Sequence, residues 1–184
     1  ISNFSFILMQ SFAPATVAAT SGYVVANVVF DRPPLFLIQP GEILQGGEFL
    51  LFALLGLCAA AVSILYMQTI LRTAKFAREL NISPPPRGLI AGVGLGLVTL
   101  WLPEITGVGQ FTMRFATIDG AFSAFELGGL MLGKIALTAF CLGFGFVGGV
   151  FSPALVVGAL FGGLFWTLLS VIMPDTLSSY SIYV

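Results

Sequence analysis

The sequence predicts an all-α, polytopic membrane protein. Three observations predict it: an apolar composition, long runs without charge, and glycine and proline placed where apolar helices start, bend or break. Hydrophobic residues make up 58% of the 184 and charged residues only 8%, where an ordinary soluble domain carries roughly a quarter. No charge occurs before Asp31, from Phe49 to Leu71, or from Ile135 to Pro174. Each of these runs is at least as long as the roughly 20 residues a helix needs to cross a bilayer core.

The first expected helix covers residues 4–30, with Pro14 inside it as a bend that membrane helices tolerate when neighbours re-satisfy the freed carbonyl. The chain opens on Ile1 in mid-run, with no initiator Met and no basic flank. These first residues read as the interior of a longer protein rather than as a signal peptide. A polar region rich in Pro and Gly follows from Asp31 to Glu48. The second helix, 49–80, begins apolar and finishes amphipathic, with Arg72, Lys75 and Arg78 on its last turns, where positive charge suits the helix dipole. With Arg87, four of the seven basic residues lie between positions 72 and 87. The positive-inside rule places that loop in the cytoplasm and the Asp31 to Glu48 region on the other side.

A third helix, 88–102, follows Pro84-Pro85-Pro86; it is short, and Gly92, Gly94 and Gly96 offer small faces for close helix contact, so it is expected to be buried among others. Residues 103–125 mix Gly, Pro, Thr and charges with apolar residues, which suits either an external loop or a short re-entrant helix. The last apolar stretch, Leu127 to Met173, is too long for one span and is interrupted by Gly143-Phe144-Gly145-Phe146-Val147-Gly148-Gly149 and then by Pro153. It therefore divides into helices 127–143 and 151–173. Proline is welcome in a first turn, where its missing amide would be unpaired anyway. A helix start of this kind carries unsatisfied N–H groups and partial positive charge, and broken transporter helices hold anions with such ends. The same glycines and proline also suit a helix bent only for packing.

Composition excludes several functions. Histidine is absent, which removes Ser-His chemistry and most zinc or haem sites from this chain. Ser152 has no base in any plausible motif, so helix capping or small-residue packing is its expected role. No enzyme activity is expected. Cys58 and Cys141 lie far apart in apolar segments and read as buried free thiols, without metal spacing or a disulfide framework. A net charge of -1, with no basic stretch beyond the one between residues 72 and 87, leaves no footprint for nucleic acid. The many phenylalanines suit lipid-facing helices, and no cofactor is expected.

At the broken helix the chain resembles the chloride channel (CLC) family. Gly149-Val150-Phe151-Ser152-Pro153 is similar to the family's Gly-x-Phe-x-Pro anion-site motif, and Ala154-Leu155-Val156-Val157-Gly158-Ala159 continues it. Lys134 and Thr138 resemble its Lys-x-x-x-Thr helix, Pro103 through Gly109 its Pro-x-x-x-Gly-x-Gly turn, and Asp31 to Phe36 its loop after the middle helices. The resemblance covers essentially the whole chain.

It implies a CLC-type fold of tilted and broken helices in inverted repeats, of which this chain would be most of the second half. It also implies a multi-pass protein of the inner or plasma membrane, a homodimer with one anion pathway per subunit, and chloride as the transported ion. Gly149, Val150, Phe151, Ser152 and Pro153 would form part of the anion site, the amides of Val150 and Phe151 facing the ion. Transport would be passive or proton-coupled. Transport of fluoride or nitrate, or a non-transporting scaffold of the same fold, are the alternatives. Phe144, Phe146 and Val147 depart from the family pattern by placing bulk where small residues are commoner. The family's other anion-site loops, its gating glutamate, its late tyrosine and its internal proton glutamate are not in this sequence.

Three charged residues remain. Lys134 is the one formal charge within Leu127 to Met173; it is expected either to raise the anion potential of the pathway or to make a packing salt bridge, for instance with Glu126 two turns earlier. Glu104 and Glu126 are expected to be solvated carboxylates at segment ends rather than proton carriers.

Overall fold

The computed structural model describes residues 14–31, 48–107, 109–173 and 177–184. Among them every regular element is helical, which makes the chain all-α. The first helix, α1 (Pro14–Val29), is apolar and belongs to a unit of its own. Its last turn widens to a π-helix at Val25–Val29, and Asn27 returns a side-chain hydrogen bond to the Tyr23 carbonyl at 2.8 Å. The part of the expected first helix before Pro14 lies outside the described residues, as does most of the Asp31 to Glu48 region.

The second unit holds the other helices. Helix α2 (Glu48–Glu79) has 32 residues, a length of roughly 48 Å at 1.5 Å per residue. That exceeds a hydrocarbon core of roughly 30 Å, and the excess is the charged end with Arg72, Lys75, Arg78 and Glu79. Leu50, Leu57 and Leu71 are exposed on it, an exterior suited to lipid rather than water. Helix α2 and the later α5 (Ala124–Gly143) and α6 (Phe151–Ile172) are each long and apolar enough to cross a membrane.

Helix α3 (Pro84–Trp101) starts earlier than position 88. Pro84, Pro85 and Pro86 fill its first turn, where no amide is needed, and the first helical bond runs from the Arg87 amide to Ser83. The expectation that α3 is buried among others is not met among the described residues, where Ala91 is its buried residue. Of its glycines, Gly94 does bring one face close to α5: a Cβ there would lie 2.5 Å from Phe140 Cε1, whereas one at Gly96 would meet nothing within 4 Å.

Residues 103–125 resolve into a 3-10 turn at Pro103–Ile105, a short helix α4 (Gln110–Ala116) and turns. Gly109 caps α4 with φ 74°, a left-handed conformation that side chains disfavour. A Cβ there would also lie 2.7 Å from Val156 of α6.

Helix α5 begins at Ala124 rather than 127 because Ser123 and Glu126 form a capping box. The Glu126 carboxylate accepts from the Ser123 amide at 2.8 Å, and the Ser123 hydroxyl accepts from the Glu126 amide at 3.3 Å. Glu126 is exposed and occupied there.

The core lies between α2, α5 and α6, with α4 and the 3-10 turn closing one side. Leu127, Ile135, Val156 and Leu160 are its centre. Gly143 lets α5 approach α2 closely: a Cβ would meet the backbone of Thr73 at 2.9 Å. The chain end packs on α6 in the same way, with the Tyr183 carbonyl against the place where a Gly162 Cβ would stand.

Candidate functional site

Helix α5 stops at Gly143 and α6 starts at Phe151, so residues 144–150 form the break. The stop is a Schellman turn: the Phe146 amide donates to Cys141 O at 3.0 Å and the Gly145 amide to Leu142 O at 3.2 Å. Gly145 takes φ 106° between them, a value that glycine adopts without the steric penalty of a Cβ. The carbonyls of Cys141 and Leu142 near the end of α5 are thereby satisfied.

The first turn of α6 is built differently. Val150 is its N-cap, and it makes no side-chain capping bond. Ser152 is the second helical residue and so is not the cap, and Pro153 is the third. The first backbone bond of the helix runs from the Ala154 amide to Val150 O at 3.1 Å. The amides of Val150 and Phe151 therefore have no earlier turn to donate to, and they stand at the positive end of a 22-residue helix.

Beside this turn lies a cavity of about 220 Å³. The break contributes Phe146, Val147, Gly148 and Gly149, and α6 contributes Pro153. Lys134 and Thr138, one turn apart on α5, line it with Leu137, Cys141 and Leu142 from the same face. Ile105 and Gly107 close it from the turn after α3. Of the five candidate residues at the helix start, Gly149 and Pro153 line the cavity; Val150, Phe151 and Ser152 do not. A Cβ at Gly149 would meet nothing within 4 Å.

Lys134 is 2% exposed. Its ammonium donates to Ile105 O at 2.9 Å and to Gly107 O at 2.8 Å, so the expected pairing with Glu126 is replaced by two backbone carbonyls. The geometry explains this, since Glu126 is engaged at the start of α5 by Ser123. Glu104 is half-buried, and its carbonyl accepts from the Thr112 hydroxyl.

The bulky residues of the break divide. Phe144 is buried with Ala77 of α2 and Ala91 of α3, away from the cavity, whereas Phe146 and Val147 line it. Cys58 and Cys141 are free, but each is half-buried rather than fully buried, and Cys141 borders the cavity.

One contributor escaped sequence reasoning. The hydroxyl of Tyr66, on α2, donates to Val150 O at 3.2 Å. Its signal was a lone tyrosine in the uncharged run from Phe49 to Leu71, where a buried phenol needs a partner. The leucines that line the cavity, Leu95, Leu137 and Leu142, carry no signal that separates them from other apolar residues.

Comparison with known proteins adds an independent line. The family model described as voltage gated chloride channel matches residues 3–184. The chain is 28% identical over 167 residues to an uncharacterized protein of Methanocaldococcus jannaschii, covering 91% of this chain and 41% of that protein. It is 33% identical over 129 residues to the H(+)/Cl(-) exchange transporter ClcA of Vibrio vulnificus, covering 68% and 27%. It is 25% identical over 174 residues to the voltage-gated ClC-type chloride channel ClcB of Shigella boydii, covering 94% and 41%. The chain thus spans less than half the length of these relatives. With a family match over nearly every residue and three membrane-capable helices, the chain belongs to the voltage-gated chloride channel family of integral membrane proteins.

Proposed function

We propose that this chain forms part of a transmembrane chloride pathway, with the start of α6 at residues 149–153 as one element of the anion site. The observation that carries the reading is the placement of Gly149 and Pro153 on a cavity at the positive end of a 22-residue helix. In this reading the amides of Val150 and Phe151 face the ion, Gly148 and Gly149 shape the approach, and Ser152 completes the first turn. Backbone donors suit a transported halide because they replace part of its hydration without adding a mobile side-chain charge at the contact. The task is selective passage rather than bond-making chemistry, and the pathway belongs to one subunit of a homodimer, as the family resemblance implies.

Chloride is the ion common to the names of the exchange transporter and the channel among the relatives. The test is simultaneous chloride and proton flux from liposomes containing the complete protein, with fluoride and nitrate as substitutes. Proton movement against its gradient, driven by chloride, identifies an exchanger; chloride flux without it identifies a channel. Absence of flux for every anion overturns the transport reading in favour of a scaffold. Gly149→Val places bulk in open space beside the helix start, so it should reduce flux at least about tenfold, the loss of one well-placed anion contact. Pro153→Ala should also reduce flux, and Glu104→Gln should leave it unchanged. Normal flux in Gly149→Val would move the anion site elsewhere.

A further inference from the structure

Lys134 occupies an unusual place. It is the one formal charge in the stretch from Leu127 to Met173, it is 2% exposed, and it lines the same cavity as Gly148, Gly149 and Pro153. Its two partners, Ile105 O and Gly107 O at 2.9 and 2.8 Å, satisfy hydrogen bonds but carry no net charge. Among the described residues the ion pair present is Lys75–Glu79, at the far end of α2. The positive charge of Lys134 is therefore uncompensated there.

Burying such a charge is costly unless a counter-charge accompanies it. An apolar side chain of similar length would fill the space between Ile105 and Val156 without that cost. If the role of Lys134 were only to brace the turn at residues 103–109, a neutral donor would serve as well. What a lysine adds is a field, and in a water-poor interior that field is weakly screened by salt.

We infer that Lys134 supplies the fixed positive charge of this cavity and raises its affinity for a small monovalent anion, an inference that rests on the anion reading above. Lys134 does not contact the ion; it acts through space, while the helix start makes the contact. A unit charge acting across roughly 10 Å at an effective dielectric near 20 changes an anion dissociation constant by about tenfold to twentyfold.

The experiment is chloride titration by calorimetry on the complete, detergent-solubilised protein with three substitutions. Lys134→Arg keeps the charge, Lys134→Gln keeps donors without it, and Lys134→Met keeps neither. The expected result is a dissociation constant raised about tenfold in both neutral variants and within about threefold of the parent in Lys134→Arg. Unchanged affinity in a folded Lys134→Gln protein overturns the inference, and so does equal weakening in Lys134→Gln and Lys134→Arg, which would make geometry the cause. Should Lys134→Met fail to fold, the Gln and Arg pair alone decides. Gly149→Val, titrated alongside, separates the two readings. If it loses chloride binding while Lys134→Gln retains it, the charge inference alone fails; if it binds chloride normally, the placement of the anion site fails.

Discussion

The phenol of Tyr66 in the middle of α2 and the carbonyl of Val150 at the cap of α6 are joined by a hydrogen bond of 3.2 Å across 84 positions of sequence. The carbonyl already accepts from the Ala154 amide at 3.1 Å, so the tyrosine adds a second bond to the residue on which α6 begins. It ties the start of the broken helix to the longest helix among the described residues. Tyr66→Phe removes only this bond and should destabilise the protein by about 1 kcal/mol, read as a lower midpoint in thermal unfolding of the detergent-solubilised protein. An unchanged midpoint would mean that the bond does not hold the cap.

A second consequence concerns Glu48, the first residue of α2, which is 2% exposed. Its carboxylate accepts from the Ser178 amide at 2.6 Å and from the Ser178 hydroxyl at 2.5 Å, and Trp166 of α6 donates to Ser178 O at 3.0 Å. The start of α2 is thus latched to the segment that returns along α6. Glu48→Ala removes both of these buried bonds and should cost about 2–3 kcal/mol, measured as loss of stability to denaturant. Ser178→Ala keeps the amide bond and should cost less.

Close backbone approach makes a steric prediction. With the Tyr183 carbonyl occupying the position a Gly162 Cβ would need, Gly162→Ala forces a backbone shift and should destabilise by about 1–3 kcal/mol. Gly158→Ala, on the same helix, meets nothing within 4 Å and should be neutral or slightly stabilising. Equal behaviour of the two variants would show that the chain end does not pack on α6 in this way.

Alkaline stability follows from Tyr180. Burial first, and the negative charge of Asp119 second, raise its hydroxyl from the ordinary value of 10.0 to about 12. Because the folded state holds this proton more tightly than the unfolded chain, the contribution to stability is complete below pH 10 and is lost as pH rises from there through about 12. Tyr180→Phe should flatten that part of the stability profile, measured by unfolding at a series of alkaline pH values. A slope unchanged by the substitution would assign the alkaline sensitivity to another group.

Much of the architecture was legible because membrane crossing is a one-dimensional demand on sequence. A helix in lipid must satisfy its backbone internally and remain apolar for about 20 residues, so α2 and α6 announce themselves by uncharged runs and α5 by an apolar stretch in which Lys134 is the one charge after Glu126. The break was legible for a related reason: Gly145 at φ 106° and Pro153 in a first turn are requirements of local backbone geometry. The starts of α3 and α5 were harder to read. Proline can either precede a helix or fill its first turn, and the capping box of Ser123 and Glu126 reaches back before the apolar pattern begins.

By itself, then, the sequence determined that the chain is all-α, built to cross a membrane, broken near residue 149, and similar to one family of anion transporters. Composition and local backbone chemistry suffice for the first three, whereas the similarity rests on the resemblance of residues 149–153 and the segments around them to a family's motifs. Only the tertiary structure decided what surrounds the break. It gave Lys134 two carbonyl partners in place of Glu126, turned Phe144 into the packing of α2 and α3 while leaving Phe146 on the cavity, and brought Tyr66 to the cap of α6. These pairings depend on how helices distant in sequence cross. Apolar periodicity says which residues leave water, but not which neighbours they meet.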